Sequence, residues 1–308
     1  MIYFFTRRRL KRGTDRFSDN FGDVTRYIEV SDVTANGYRG KFLQAEAWAK
    51  GALAQSKNGE VLLYVHGFNT SQLDLVRRLQ HLRAKLAFKG AIIGFDWPTE
   101  STNNPLKLFK VYQTAKTNLN KLDNILVTEG MNVIWEADKT MDFHVLAHSM
   151  GAYAVSFAFS HIEEKPGARG KNWKVQEAIF GAADLDARRM RKNGADALAM
   201  QFRSKRLTHF HSTVDDVLQM SGQIHEGHPR SGRVGLAPDL AKGFYDVSVE
   251  DRYRKKFKQH EKTTQLSHSW YQDDDLFLSD VDQILRGVPA ASITTREPHS
   301  GGDQRLKP

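Results

Sequence analysis

The sequence contains no cysteine, and this absence removes several kinds of chemistry at once. Disulfide frameworks, thiolate metal sites and cysteine nucleophiles are all excluded. No apolar run approaches the roughly 18 to 20 residues that a membrane-spanning helix needs, so we expect no transmembrane segment. The chain begins with five apolar residues followed by a basic stretch, which is the reverse of the order in a secretory signal. These absences predict a soluble, cytoplasmic protein.

Positive charge is in excess, with 45 Lys and Arg residues against 36 Asp and Glu residues and a formal net charge of +9. The basic residues are spread along the chain, although residues 7–12 and 252–258 form two clusters. Neither cluster carries a recognised base-reading motif, so we expect solvated basic surfaces and no specific nucleic-acid partner. Weak contact with an anionic surface is the alternative that this charge leaves open.

Short apolar runs alternate with stretches of helical periodicity, which is typical of a mostly parallel sheet covered by helices. The predicted buried strands are 60–65, 91–95, 141–147, 175–180 and 206–211, and the predicted helices are 74–89, 105–129, 151–160 and 273–285. Because such apolar strands must be buried on both faces, a β-sandwich with one solvent-exposed face is disfavoured. We therefore predict an α/β fold with helices on both faces of the sheet.

The two ends of the chain differ from this middle part. Residues 2–5, 26–30 and 41–45 resemble shorter strands separated by polar turns, and they predict an antiparallel N-terminal edge of the same sheet. Residues 291–308 mix small, polar and basic residues without apolar periodicity, which predicts a disordered tail. With no dividing linker between the ends, we expect a single domain over residues 1–290.

The strongest chemical signal is a strand that runs into Ser149 and leaves as a helix. Small residues two places before and after the serine are typical of a nucleophile elbow, in which the hydroxyl is exposed on a strained turn. Gly151 fills one of these places, and Ala147 replaces the usual glycine in the other. An ordinary strand-to-helix turn with a serine N-cap is the structural alternative.

A second strand ends in His66-Gly67 and continues into Phe68. Acyl transfer develops a negatively charged oxygen, which preorganised backbone donors must stabilise. In hydrolases of this architecture, one donor follows the nucleophile and the other follows an earlier strand. We therefore predict an oxyanion hole formed by the N–H groups of Met150 and Phe68, with His66 as a structural residue of the loop.

The chain order Ser, acid, His requires a base late in the sequence, and His268 is our candidate. The acid would come from Asp215 or Asp216 at the end of a strand, where Asp215 stands three residues before Leu218. Adjacent side chains in a turn point in different directions, so only one of the two should reach His268. Asp184 and Asp186, after an earlier strand, are weaker candidates for the acid.

Other candidate sites carry less weight. His209 and His211 lie on one face of a strand, with His225 and His228 nearby in sequence, but a catalytic metal needs three ligands and an open position. We expect no metal here. The polar segment 98–105 is expected to form a loop beside the opening of the site. A group of aromatic residues is predicted to line an acyl pocket or, equally, to belong to the core: Trp97, Phe109, Tyr112 and Trp270.

Several segments together make the chain resemble the α/β-hydrolase superfamily, and within it a bacterial family of esterase- and lipase-like hydrolases called DUF900. In order, they are FFTRR at 4–8, LLYVHGFNTS at 62–71, FDWPTES at 95–101, HVLAHSMGAYAV at 144–155, AADLDA at 182–187, HSTVDDVL at 211–218, SGRVGLAP at 231–238 and LSHSWY at 266–271. The resemblance implies an α/β-hydrolase fold, a triad of Ser149, Asp215 and His268, and no cofactor. It does not supply a substrate.

The leading functional hypothesis is therefore a serine hydrolase that cleaves a small-molecule or lipid-like carboxylic ester through an acyl-enzyme on Ser149. The same triad would also serve an amidase or a thioesterase. A non-catalytic binding module on a hydrolase scaffold is the alternative from another class. Nucleic-acid binding driven by the net charge is a third and weaker hypothesis.

Overall fold

The computed structural model describes residues 1–102, 104–160, 172–236, 240–261, 265–299 and 303–308, apart from the side chains of Pro105 and Leu106. The chain divides into two compact units. The first unit comprises residues 1–84, 89–143 and 157–173, and the second comprises residues 85–88, 144–156 and 174–308.

From the third strand to the ninth, one or two helices separate each strand from the next. The strands are β1 Ile2–Leu10, β2 Phe17–Thr34, β3 Gly37–Leu43, β4 Glu60–Val65, β5 Ala91–Asp96, β6 Asp142–His148, β7 Val175–Gly181, β8 Ser204–His211, β9 Phe244–Ser248, β10 Arg296–Pro298 and β11 Gln304–Leu306. The helices are α1 Ala45–Leu53, α2 Gln72–Lys85, α3 Pro105–Asn120, α4 Asn132–Ala137, α5 Met150–Ser160, α6 Ala195–Arg203, α7 Asp216–Ile224, α8 Ser231–Val234, α9 Glu250–Lys256, α10 Gln265–Ser269 and α11 Asp275–Leu285. Among the residues described, no helix combines the length and the apolarity that crossing a membrane requires.

In the first unit, the strand order is β4, β5, β1, β2 and β3. β4 and β5 are parallel and almost entirely buried, as their apolar sequences predict. β1 also runs parallel to β5, and the antiparallel edge begins only with the β1–β2 and β2–β3 pairs. Phe5 stacks on Phe95 at a centroid distance of 4.7 Å and meets the edge of Trp48, which anchors β1 in the apolar core.

The helix predicted over residues 105–129 ends earlier in the structure. α3 stops at Asn120, a π-helical turn covers Leu126–Met131, and α4 follows directly. Asp123 between them has a φ of 44°, which interrupts the helical path. Gly130 shows why the chain packs so closely here, because a Cβ atom at this position would lie 2.3 Å from the ring of Phe5. Apolar periodicity alone does not report this tertiary contact.

The second unit contains a run of parallel strands in the order β6, β7, β8, β9 and β11, and β10 pairs with β11 in the antiparallel sense. The carboxyl ends of parallel strands meet at one edge of a sheet, so β6, β7 and β8 deliver their following residues to the same side. The rings of Phe210 and Phe277 are 4.8 Å apart, and Tyr271 packs against Phe277. This aromatic core lies directly below the strand ends that carry the candidate site residues.

The C-terminal residues differ from the sequence-based expectation. Residues 291–308 were predicted to be disordered, but they contain β10 and β11, and Leu306 is completely buried. Arg296 forms a buried ion pair with Asp280 at 2.6 Å, and Thr295 donates to the same carboxylate. The composition of the segment gave the wrong indication because its order depends on a carboxylate and a strand edge supplied by earlier parts of the chain.

Candidate active site

Ser149 lies at the turn between β6 and α5 with a φ of 56°, in the left-handed region that few residues other than glycine adopt. Its N–H donates to the Gly181 carbonyl at 3.0 Å, and its carbonyl accepts from Ala152 and Asp184 at 3.0 and 3.1 Å. Strain of this kind costs about 1 to 3 kcal/mol and persists only where neighbouring contacts hold it. The backbone at Ser149 therefore has the geometry of a nucleophile elbow.

The next strand end is equally constrained. Ala182, just after β7, has a φ of 49°. Gly232 packs against its backbone so closely that a Cβ atom at Gly232 would lie 2.3 Å from the Ala182 carbonyl carbon. Because Asp184 also donates its N–H to Ser149, the segment after β7 fixes the conformation of the serine turn.

His268 and Asp215 meet inside the same unit. The Nδ1 atom of His268 lies 2.7 Å from Oδ2 of Asp215, and both residues are buried. The other carboxylate oxygen, Oδ1, accepts from the Leu218 N–H at 2.9 Å and caps α7. Arg233 donates to the Asp215 carbonyl at 3.0 Å. These contacts fix the carboxylate in position and orient the imidazole ring.

The other candidate acids have different partners. Asp216 is the first residue of α7, and its N–H donates to Ser267 Oγ at 3.2 Å. Asp184 accepts from Ser221 Oγ at 2.7 Å and from Arg230 Nε at 2.6 Å, and Asp186 pairs with Arg188. Among these carboxylates, Asp215 is the one that the structure places against the ring of His268.

The environment of His268 changes its basicity. Burial by itself lowers the pKa of His268, but the charge and the hydrogen bond of Asp215, together with the charge of Asp184, outweigh it and raise the pKa above its ordinary value. The ring nitrogen Nε2 of His148 lies 2.9 Å from the His268 carbonyl oxygen, and the two rings are 4.8 Å apart. His148 thus fixes the backbone of the short helix that carries the candidate base.

The two predicted oxyanion donors lie in different units. Met150, in the second unit, is the first residue of α5, whose N-terminal N–H groups provide partial positive charge next to Ser149. Phe68, in the first unit, follows β4, and its ring meets that of Tyr112 edge-on at 5.4 Å. The participation of Phe68 remains a prediction from the sequence.

His66 belongs to a buried polar cluster of the first unit. Its Nε2 atom lies 3.3 Å from Asp96, and its ring stacks on Trp97 at 5.3 Å. Asp96 also pairs with Arg8 at 2.9 Å, and Arg8 donates to the carbonyl of Thr70 at 3.0 Å. The cluster therefore connects β1 and β5 with the loop that follows β4.

The histidines proposed as metal candidates form a different arrangement. His209 lies between Asp246 at 2.7 Å and Ser231 Oγ at 3.3 Å, and His211 is 3.5 Å from the same aspartate. These contacts repeat the Ser-His-Asp pattern, but Ser231 is completely buried and, as the first residue of α8, does not lie on a strand-to-helix turn of left-handed backbone like Ser149. Across the described ranges, no group of three or more His, Asp or Glu side chains is arranged to hold a metal ion.

Sequence reasoning overlooked the residues that support the site. Asp184, Ser221 and Arg230 form a buried hydrogen-bonded group beside the serine turn, and Arg233 holds the backbone of Asp215. From the sequence, Asp184 in AADLDA is only a weaker candidate for the acid, and SGRV is only a mark of resemblance. The polar residues of these two segments were the signal that could have indicated a supporting role. Their hydrogen-bond partners lie tens of residues away in the sequence, so a local pattern does not identify them. The predicted pocket residue Trp270 is fully buried and stacks on Tyr271 at 4.6 Å.

Comparison with known proteins identifies a family, whereas the solved structures that resemble the chain share little sequence identity with it. No curated protein sequence matches the chain. Among solved structures, fungal esterases from Rhizomucor miehei are 12% identical, with 85% of this chain and 83% of that chain covered and a TM-score of 0.37. Carboxyl esterase 2 from the mycorrhizal fungus Tuber melanosporum is 11% identical, with 81% and 71% covered and a TM-score of 0.29.

A family model matches most of the chain. Residues 42–277 match the family described as alpha/beta hydrolase of unknown function (DUF900). The match covers strands β4 to β9, the serine turn and the His268 segment, and it confirms both the resemblance and the α/β-hydrolase fold expected from the sequence. The chain therefore belongs to the DUF900 family of alpha/beta hydrolases.

Proposed function

We propose that this protein is a serine hydrolase that cleaves carboxylic esters through a covalent acyl-enzyme on Ser149. The observation that carries the proposal is the buried contact of 2.7 Å between His268 Nδ1 and Asp215 Oδ2, in the same compact unit as the strained turn at Ser149. In a Ser-His-Asp triad, a buried carboxylate on one ring nitrogen fixes the tautomer and the orientation of the general base.

The proposed reaction begins when Ser149 Oγ attacks the ester carbonyl and its proton passes to His268 Nε2. Asp215 accepts the hydrogen bond from Nδ1–H of His268 and stabilises the imidazolium. The tetrahedral oxyanion is bound by the N–H of Met150, the first residue of α5. Collapse breaks the ester bond, and His268 returns the proton to the leaving alcohol.

Deacylation repeats these steps with water in place of the serine. His268 takes one proton of the water while its oxygen attacks the acyl carbonyl, and the second tetrahedral intermediate releases the carboxylic acid. Ser149 Oγ receives the proton from His268 and is regenerated. Every proton and electron pair is accounted for by these three side chains, the substrate and one water molecule.

The test is covalent labelling by a fluorophosphonate, read as intact mass. Wild-type protein should gain one adduct, and Ser149→Ala should gain none. Ser156→Ala is the matched control, because Ser156 lies on the same helix α5, is also buried, and its hydroxyl has no hydrogen-bond partner among the described residues. This control should label like the wild type.

A series of p-nitrophenyl esters of increasing acyl length, with a matched anilide and thioester, then identifies the bond that is cleaved. Faster turnover of esters than of the amide and thioester analogues would support the proposal. Folded wild-type protein that takes up no adduct would contradict it and favour a binding module on the same scaffold.

A further inference from the structure

An exposed face of the second unit combines apolar and basic side chains in one place. We call it the α6 face, and it comprises the loop 187–194, helix α6 and Lys205. Leu198 and Phe202 stand four residues apart on α6 and are 48% and 47% exposed. Residues at this spacing share one side of a helix. The opposite side of α6 is buried through Ala197 and Met200, so the helix is already anchored to its unit.

The charge on this face is almost entirely positive. Residues 187–205 contain six basic residues and one acidic residue, Asp196. That aspartate is buried and paired with Arg189 at 2.8 Å, so it offers no negative charge to a partner. The basic residues that are exposed are Arg188, Arg189, Arg191, Lys192 and Lys205. Arg188 is ion-paired with Asp186 at 2.6 Å, just before this segment, so the face carries a net positive charge through its remaining cations. The guanidinium of Arg203 lies 4.5 Å from the ring centre of Phe202.

We propose that the α6 face docks this protein on an anionic lipid surface. Leu198 and Phe202 are placed to enter the boundary between headgroups and acyl chains, while the surrounding cations stay at the level of the lipid phosphates. The inference goes beyond the proposed esterase function and does not depend on it, because it concerns a surface that contains none of the candidate catalytic residues.

The combination favours a lipid surface over other polyanions. A nucleic-acid duplex would be bound by the cations through its phosphates but would gain nothing from two aliphatic and aromatic side chains between them. A lipid surface uses both, since burial of apolar area and attraction of charge act together on an interfacial helix. The basic clusters at residues 7–12 and 252–258 differ from the α6 face in this respect. Neither cluster contains a pair of large hydrophobic side chains that are more than a third exposed.

The test is sedimentation of the full chain with lipid vesicles. Wild-type protein should bind phosphatidylcholine vesicles that contain about 30 mol% phosphatidylglycerol, bind pure phosphatidylcholine vesicles far more weakly, and dissociate as salt is raised. The double variant Leu198→Ser/Phe202→Ser and the double variant Arg191→Glu/Lys205→Glu should each weaken binding at least about tenfold.

Two matched controls distinguish binding through this face from nonspecific hydrophobic adsorption and from attraction by net charge alone. Val24→Ser/Phe42→Ser removes two exposed apolar side chains of the first unit, and Lys255→Glu/Lys256→Glu reverses two exposed charges on α9. Both controls should bind like the wild type. All substitutions are at exposed positions, and unchanged thermal melting of each variant confirms that it is folded.

Three results would overturn the proposal. The first is no sedimentation with anionic vesicles at low salt. The second is a loss of binding in the charge control Lys255→Glu/Lys256→Glu as large as that in Arg191→Glu/Lys205→Glu, which would mean that binding follows net charge. The third is binding that Arg191→Glu/Lys205→Glu abolishes but Leu198→Ser/Phe202→Ser leaves unchanged, with duplex DNA competing fully, which would identify a polyanion site instead. Because the readout is binding, failure here leaves the labelling test of Ser149 unaffected.

Discussion

The substitution Asp215→Asn tests the candidate acid because the structure dictates how the new amide must orient. One oxygen of Asp215 caps α7 by accepting from the Leu218 N–H at 2.9 Å, and the other lies 2.7 Å from His268 Nδ1. An amide has only one oxygen, and the cap requires it. The amide NH₂ therefore has to face the imidazole, which makes Nδ1 an acceptor and moves the ring proton to Nε2.

This tautomer cannot take a proton from Ser149. In the Ser-His-Asp template, the same loss of tautomer lowers kcat by about 10,000-fold. The stability of Asp215→Asn should change little, because the helix cap and the side-chain volume are kept. Asp215→Ala, by contrast, removes the cap, which costs about 1 kcal/mol, and it leaves the buried His268 ring without its partner.

The assay is kcat for a p-nitrophenyl ester at saturating substrate, with the denaturation midpoint measured in parallel. Asp216→Asn is the matched control, because it makes the same change one residue away, at a side chain without a described contact to His268. This variant should keep kcat within about tenfold of the wild-type value. The reasoning is refuted if Asp215→Asn is as active as wild type, or if Asp216→Asn is the variant that loses activity.

Three further predictions concern titration and buried charge. The rise of kcat/KM with pH should have its midpoint above the ordinary histidine value of about 6.5, because Asp215 raises the pKa of His268 and only the neutral ring accepts a proton; a pH–rate profile measures it. Asp96→Ala should lower the free energy of unfolding in urea by about 3 to 5 kcal/mol, because it removes the buried counter-charge of Arg8 and leaves the exposed Asp19 as its acidic partner. Thermal stability should fall as pH drops below about 6.5, because burial lowers the pKa of His211 in the folded state and the unfolded chain then binds the extra proton; melting curves against pH show this.

Controls for these predictions use neighbouring residues. Asp19→Ala removes an exposed partner of Arg8 and should cost far less than Asp96→Ala, since the Asp19 side chain is 54% exposed. His211→Gln should reduce the acid dependence of melting near neutral pH. An unchanged acid slope in this variant would show that another group is responsible. A kcat/KM midpoint below the ordinary histidine value would contradict the account of His268.

The local parts of this fold could be predicted from the sequence. β4 coincides with the predicted run at 60–65, and β5 and β7 extend beyond their predicted runs by one residue, because a continuous apolar run has few alternatives to a buried strand. The serine turn was also visible, since a strand, a serine between small residues and a following helix are all local features.

Elements that depend on distant partners were predicted less well. The close packing at Gly130 depends on Phe5, which lies 125 positions earlier in the sequence, because a Cβ atom at Gly130 would lie 2.3 Å from the Phe5 ring. The strands β10 and β11 depend on the edge of β9 and on Asp280. Composition and periodicity describe a segment by itself, so they cannot report a partner that only the folded chain supplies.

The candidate site shows the same division. Residue type and chain order were enough to select Ser149 and His268 as candidates and to favour two adjacent aspartates over Asp184 and Asp186 as the acid. Only the tertiary structure placed Asp215 against His268, because the direction of a side chain in a turn is fixed by its hydrogen bonds, here the cap on Leu218 and the support from Arg233. The sequence by itself determined which groups are available for catalysis, and the folded backbone decided which of them meet.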